Sequence, residues 1–436
     1  MENWFKIFLV CVLAFCVLMG GFCIIWPLTH QGEISTGIPE DPVIEQPEPS
    51  PSSPEPDPAP EPEPEPKPAE VIAYEPEPPT RPSELTAEER RAQAMLRTME
   101  LEEKVYQLFI VSPEDLTGVD TATIAGETTR EKLEEKPVGG LVYFAKNLLN
   151  REQTQAMLET TQSYAKKPLL LAVDEEGGTV SRLGSNPEMG VTSLGNMGDY
   201  GDAGNTQAVR EIGETLGREL KELGFNLDFA PVADVLTNPA NTVIGRRAFS
   251  SDAETAAKMV RAMVEGMESS GCPATLKHFP GHGDTTGDTH DGPAATRRSL
   301  DDMRSCEFLP FKAGIEAGAP VVMVGNFSAP LLTGNDDPVC FSRIVTTDLL
   351  RGELGFTGVI VTDALNMKAV TENSNAAEAA VKALEAGADL LLMPEDLDKA
   401  VQGIMDAVED GTISEDRIDE SVGRVLTLKY KYKMNQ

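Results

Sequence analysis

Eight short apolar runs recur between residues 107 and 394: "QLFIVS" (107–112), "GGLVYFA" (139–145), "PLLLAVD" (168–174), "FNLDFAPVADV" (225–235), "ATLKHF" (274–279), "VVMVGNF" (321–327), "GVIVTDA" (358–364) and "ADLLLMP" (388–394). Several are near-continuous in hydrophobic residues instead of alternating, the pattern of strands buried on both faces, so a parallel sheet is expected. Between the runs lie stretches with helical spacing that stop near a glycine, such as "TQAVREIGETLGRELKELG" (206–224), "DAETAAKMVRAMVEGMESSG" (252–271) and "AAEAAVKALEAGA" (376–388). Thr86 and Glu89 are spaced as a capping box for a leading helix, and 413–434 supply a closing one. Eight strands alternating with helices predict an α/β chain folded as a (β/α)8 TIM-like barrel. An open doubly wound sheet would want a glycine-rich phosphate turn after its first strand, and none follows residue 112.

The preceding residues divide in two. Ile7 to Trp26 is a run of twenty uncharged, mostly apolar residues, long enough to cross roughly 30 Å of hydrocarbon as a helix. No small-residue cleavage site is evident, so residues 1–30 are expected to be an uncleaved transmembrane anchor in preference to a signal peptide. Phe15 and Phe22 precede Cys16 and Cys23 where a lipidation signal would want a small residue. From 31 to 83 the chain is rich in proline and glutamate, with seventeen of its 32 prolines between Pro39 and Pro82. Such a segment lacks the apolar residues that ordering requires and is expected to be a disordered, extended linker. At about 3.1 Å per residue it would reach up to about 150 Å. A cell-membrane location follows as an expectation, single-pass with the domain outside the cytoplasm, or secreted if the anchor is clipped.

Residues 84–436 are the part that can bury a core. The first 83 residues hold fourteen acids against three bases, which leaves the remainder at −23 of the total −34. That balance excludes nucleic acid as a partner, since phosphates need lysine and arginine. Cys272, Cys306 and Cys340 are odd in number and lack metal-type spacing, so neither a disulfide framework nor a zinc site is expected.

Barrel enzymes build their sites from loops at the carboxyl ends of the strands. Polar residues gather there in this chain: Asp174 ends the third run, Asp234 and Asn241 follow the fourth, Lys277 and His278 end the fifth, Asn326 the sixth and Asp363 the seventh. Three of the four histidines fall in "KHFPGHGDTTGDTH" (277–290). His278 and His282 are four apart, but Pro280 and Gly281 between them prevent the shared helical face of a zinc-binding pair. A metal-dependent hydrolase and a structural rim of histidines remain alternatives. The other reading is a glycine-rich loop carrying proton transfer, with Asp288 orienting His290, set against a rigid carboxylate at Asp363. One fixed carboxylate and one proton carrier suffice to split an acetal by double displacement.

On these residues the chain resembles the single-domain β-N-acetylglucosaminidases of glycoside hydrolase family 3. The shared motifs are "KHFPGHG" with the following Asp-Thr-His, "DEEGGTVSR" (174–182), "IGRR" (244–247), "TDALNM" (362–367) and the opening "MELEEKVYQLF" (99–109). They occur in family order across 84–436. The resemblance implies a retaining exo-acting hydrolase in which Asp363 is the nucleophile and His290, oriented by Asp288, is the acid/base. It also implies that Asp174, Arg182, Arg247, Lys277 and His278 grip the terminal sugar, and that no cofactor or metal is used. Thr289 stands where the family usually has serine. Relatives that cleave glucosides carry a second domain supplying a glutamate; with the sequence closing at Gln436, the Asp288/His290 pair is expected to serve instead. The expected partner is an oligosaccharide or muropeptide, peptidoglycan-derived or chitin-like, acted on by a monomer. Phosphorolysis in place of hydrolysis, or an inactive sugar-binding barrel, are the alternatives.

Overall fold

The computed structural model describes residues 71–74, 85–289 and 292–434, all within one compact unit, Pro66–Gln436. Its strands are β1 (Phe109–Val111), β2 (Gly140–Tyr143), β3 (Leu170–Val173), β4 (Leu227–Asp228), β5 (Thr275–Phe279), β6 (Val321–Val324), β7 (Val359–Thr362) and β8 (Leu391–Leu392). Each lies within one of the eight apolar runs, and every ladder between them is parallel. Their burial explains the unbroken hydrophobic runs. Ile110, Val142, Leu170, Ala172, Leu227, Val321, Met323, Val359, Val361 and Leu392 form an inner cluster. Phe109, Val111, Leu141, Tyr143, Leu171, Val173, Val322, Val324 and Ile360 face the helices in an outer one.

The expected closed (β/α)8 barrel is not what these strands form. They make two separate parallel sheets, one of five strands in the order β4-β3-β2-β1-β8 and one of three in the order β5-β6-β7. Only the isolated bridges Val232–Lys277 and Val361–Leu390 lie where a closed sheet would continue. The causes lie at the two breaks. The run 225–235 yields a strand of two residues, and three positions on comes Pro231, which has no N–H to give a ladder. On the far side of the break β5, whose register shifts against β6 between Leu276 and Phe279, contributes nothing to the inner cluster. Between β7 and β8, side chains take two of the strand N–H groups: Asp389 Oδ2 accepts from Ile360 at 2.9 Å and Thr362 Oγ1 from Leu392 at 3.1 Å. A backbone donor satisfied by a side chain is not available to a ladder.

Among the described residues no helix is long and apolar enough to cross a membrane. Residues 7–26 themselves lie outside the described set. Within the span read as linker, residues 71–74 lie against the domain. Tyr74 N–H donates to Asp348 Oδ1 at 3.0 Å, and Arg343 donates to the Tyr74 carbonyl at 3.3 Å.

The helices follow their sequence signals closely. Thr86 and Glu89 form the capping box of Ala87–Leu96, and the closing helix runs Glu415–Lys431. Helices Thr206–Leu223 and Ala253–Ser270 pack through facing glycines. A Cβ at Gly213 would sit 2.5 Å from the Met263 carbonyl oxygen, and one at Gly266 would sit 2.2 Å from that of Arg210. No side chain fits at either place, so the glycines permit the close approach. Before β7 the segment Ile344–Glu353 is a π-helix, which hydrophobic spacing did not foretell.

One buried ionic cluster ties the last strands to the closing helix. The Asp389 carboxylate, fully buried, meets Arg351 at 2.5 Å, Ser421 Oγ at 2.8 Å and Arg424 at 3.0 Å. Burial alone would raise the Asp389 carboxyl, but Arg351, Arg424 and Arg417 more than offset it and hold it below the usual range.

Candidate active site

A cavity of about 310 Å3 is lined by residues from the ends of the strands and the loops that follow them. Around it stand Asp174, Arg182, Arg247, Lys277, His278 and Asp363, six of the eight residues singled out from sequence. Asp288 is described but does not line the cavity; its carbonyl accepts from Gly292 N–H at 3.1 Å. The next residue, Thr289, is buried in the cavity wall and accepts the Ala369 N–H on its carbonyl at 3.2 Å. The loop bearing Asp288 therefore arrives at the cavity. His290 lies outside the described residues.

The stretch "DEEGG" after β3 supplies three acids with three different tasks. Asp174 accepts from Lys277 Nζ at 2.5 Å and keeps 20% of its side chain exposed, so it can still meet a ligand. Glu175 is turned away. Its carboxylate collects the backbone N–H groups of Arg182 and Leu183 at 2.7 Å each and of Gly184 at 3.1 Å, together with the Ser181 hydroxyl. That grip sets the turn carrying Arg182, whose guanidinium lies 5.9 Å from the Phe144 ring.

Glu176, with 1% of its side chain exposed, is the hub. Lys277 Nζ reaches Oε1 at 2.6 Å, and Arg247 forms a two-pronged bond with both oxygens at 2.8 Å. Burial would raise the Glu176 carboxyl, but the charges of Lys277 and Arg247 outweigh it and push it well below the carboxylate range. Reciprocally, Lys277 is fully buried, yet Asp174 and Glu176 overcome the burial and hold its ammonium above the ordinary value. The two cations are thus locked in place with their charges on, the preorganised state that binding hydroxyl or amide oxygens requires.

The sign of the Glu176 shift makes a prediction. Its folded carboxyl titrates below the unfolded value of about 4.3, so the stability it lends is complete at neutral pH and declines as pH falls below about 4. Glu176→Gln keeps the shape but leaves Arg247 without its anion, at an expected cost of about 3 kcal/mol at pH 7. Plotted against pH from urea unfolding, the difference between wild type and variant should shrink on the acid side. A flat difference would contradict the ionic account.

A histidine paired with a buried carboxylate adds to the site. His278 Nδ1 pairs with Asp234 Oδ2 at 2.8 Å, and Asp234 also accepts the backbone N–H groups of His278 and His282. Burial would raise the Asp234 carboxyl; the His278 charge and the hydrogen bonds more than compensate and lower it. His282 lines the cavity too. Its Nδ1 meets Thr285 Oγ1 at 2.7 Å, and Asn241 Nδ2 donates to its carbonyl at 2.8 Å, so it also holds the base of the loop. Burial, reinforced by the His278 charge, pushes His282 down to about 4, which keeps it neutral at physiological pH.

Asp363 follows β7 directly. Its N–H donates to the Val324 carbonyl at 2.8 Å and its Oδ1 accepts from Ala364 N–H at 2.8 Å. Held by its backbone N–H and by one carboxylate oxygen at a strand terminus, the residue has little freedom, and the second oxygen is left for other use.

Sequence reasoning missed Glu175, Glu176, Asn366 and Met367, the last two also in the cavity wall. A signal existed for the two acids: they immediately follow Asp174 at a strand end. Three adjacent acids look alike in sequence, and only their partners separate them.

Over residues 100–428 the sequence matches the family described as the N-terminal domain of glycosyl hydrolase family 3. It is 33% identical over 329 residues to beta-hexosaminidase A of Pseudoalteromonas piscicida, covering 69% of this chain and 54% of that protein. To a beta-hexosaminidase of Stenotrophomonas maltophilia (strain K279a) it is 37% identical over 284 residues, 63% of this chain and 82% of that protein. Among solved structures it resembles a glycoside hydrolase family 3 beta-N-acetylglucosaminidase from Paenibacillus sp. str. FPU-7, with a TM-score of 0.73 and 38% identity. That likeness covers 78% of this chain and 64% of the other. The chain therefore spans about half the length of the Pseudoalteromonas protein and just under two thirds of the Paenibacillus one.

Proposed function

This chain belongs to glycosyl hydrolase family 3, and from that premise we propose that it is a retaining exo-β-N-acetylglucosaminidase. The observation that carries the reading is the placement of Asp363 in the wall of one small cavity with the Asp174–Lys277–Glu176–Arg247 network. The cavity is at the lower end of the roughly 300–1,000 Å3 typical of ligand pockets, which suits a single terminal sugar ring and not a length of polymer. Asp174 accepts from hydroxyls, while Lys277, Arg247, Arg182 and His278 donate to hydroxyl and N-acetyl oxygens.

Asp363 attacks the anomeric carbon as His290, oriented by Asp288, protonates the departing oxygen; the C–O bond breaks and a glycosyl ester on Asp363 forms. His290 then takes a proton from water, which attacks the same carbon, frees Asp363 and delivers the sugar with its original configuration. Beta-hexosaminidase and beta-N-acetylglucosaminidase are the names of the relatives, and the N-acetyl preference rests on them together with the donor-rich wall.

The test is to incubate the full chain with 4-nitrophenyl glycosides of β-GlcNAc and β-glucose and to follow the first-formed sugar by NMR. Turnover of the GlcNAc compound with the β-anomer appearing first is expected. Release of the α-anomer, or a preference for glucose, would contradict the reading.

A further inference from the structure

The loop after β6 lies between the two halves of this site. On one side its Ser328 bridges Ala295, with Ser328 N–H on the Ala294 carbonyl at 2.8 Å and Thr296 N–H on the Ser328 carbonyl at 3.0 Å. Residues 294–296 are the stem by which the chain returns from the loop bearing Asp288. On the other side Asn326 Nδ2 donates to the Ala364 carbonyl at 2.7 Å, one residue beyond Asp363. The loop then folds back on itself through the antiparallel bridge Ser328–Pro338. That return brings Cys340 Sγ to 3.2 Å from Asn326 Oδ1. Asn326 is 1% exposed and Cys340 fully buried.

We propose that Asn326, its amide oriented by the Cys340 thiol, is a positioning residue for the nucleophile Asp363. The inference rests on the functional reading above and adds a residue pair to it. An amide buried between a carbonyl and a thiol can point only one way. Turned over, it would set Oδ1 against the Ala364 carbonyl oxygen, losing that bond, and leave Nδ2 only the weak sulfur acceptor of the thiol. The peptide between Ala364 and Leu365 is then held at both polar ends, its carbonyl by Asn326 and its Leu365 N–H by the Leu392 carbonyl at 2.8 Å. The peptide before it presents the N–H that holds Asp363 Oδ1. Burial, with the Asp363 charge adding to it, pushes the Cys340 thiol well up, so the proton it donates stays on sulfur. Met367 extends the same turn toward the opposite loop, with its sulfur 3.6 Å from Asn326 Nδ2 and 3.7 Å from Thr289 Oγ1.

The experiment compares Asn326→Leu, Cys340→Val and Cys340→Ser with wild type in the full chain. It measures kcat and KM on the aryl GlcNAc glycoside, the affinity for free GlcNAc by calorimetry, and Tm. Because small misplacement of a reacting group costs on the order of 10- to 100-fold, Asn326→Leu should lower kcat about 30-fold with GlcNAc affinity changed less than about 2-fold. Cys340→Val, which removes the donor at similar size, should lower kcat about 5-fold, and Cys340→Ser, which restores a donor, should recover most of that loss.

Unchanged kcat in Asn326→Leu, or a parallel loss of kcat and GlcNAc affinity, would overturn the proposal. So would a Cys340→Ser variant no better than Cys340→Val, and this pair decides the matter if Asn326→Leu fails to fold. Should wild type itself not turn over the glycoside, the functional reading falls. A crystal structure of the Asn326→Leu or Cys340→Val variant then still tests the pair, because an unmoved 364–365 peptide would contradict it.

Discussion

Asp363→Asn is expected to lose turnover of an aryl GlcNAc glycoside by on the order of 10^4-fold, because Asp363 is the proposed nucleophile and an amide cannot form the covalent intermediate. The substitution is nearly isosteric. Its side-chain oxygen can still accept the Ala364 N–H that Asp363 Oδ1 accepts, and the backbone bond to the Val324 carbonyl is untouched. Folding should therefore be preserved, with Tm shifted by only a few degrees. GlcNAc affinity should stay within a few-fold, since Asp174, Lys277, Glu176 and Arg247 keep their contacts. The amide is a poor nucleophile and carries no charge to stabilise the developing oxocarbenium ion, so loss falls on kcat and not on binding. A residual rate within about 10-fold of wild type would remove Asp363 from the mechanism. His290→Ala supplies the contrast: it should lose activity chiefly on substrates with poor leaving groups, which need the proton most.

The second large effect concerns stability. Asp389→Asn should destabilise the fold by about 3–5 kcal/mol, the usual cost of stripping one partner from a buried ionic cluster. The carboxylate is wholly buried and faces Arg351, of which only 6% is exposed, as well as Arg424 and, at 3.8 Å, Arg417. With the anion neutralised, Arg417 and Arg424 keep Glu420, which is about half exposed, as their only anion, and Arg351 keeps only the carbonyls of Phe356 and Gly358. The same Oδ2 that meets Arg351 accepts the Ile360 N–H, so the junction between β7 and β8 loosens along with the charge cluster. Because the folded Asp389 carboxyl is depressed, its contribution is present above the unfolded value of about 3.9 and fades as pH falls below it. Equilibrium urea unfolding at pH 7 measures the cost, and a loss below about 1 kcal/mol would show that the arginines find other partners.

How far the sequence reached depends on which interactions decided each feature. All eight strands lie within runs chosen for hydrophobic continuity, and the helices Thr206–Leu223, Ala253–Ser270 and Ala376–Ala386 begin and end within two residues of their expected positions. Both patterns are local: burial on two faces and a glycine stop are written into neighbouring residues. The closed barrel was overdrawn from the same count. Pro231 stood in the sequence as a warning against a long fourth strand. The capture of the Ile360 and Leu392 amides by Asp389 and Thr362 left no local trace, because each pairs residues some thirty positions apart.

The site divides along the same line. By itself the sequence determined that polar residues would collect after the apolar runs, and it picked out Asp174, Lys277, His278 and Asp363 by type and position. Only the tertiary structure decided that Glu176, and not its twin Glu175, anchors both cations. It alone brought the Cys340 thiol against the Asn326 amide, which in turn holds the Ala364 carbonyl next to Asp363. Residue type and periodicity act over a few positions of chain and can be read in order. Charge pairing and amide orientation act across space, between side chains that become neighbours only once the loops have folded onto the strands.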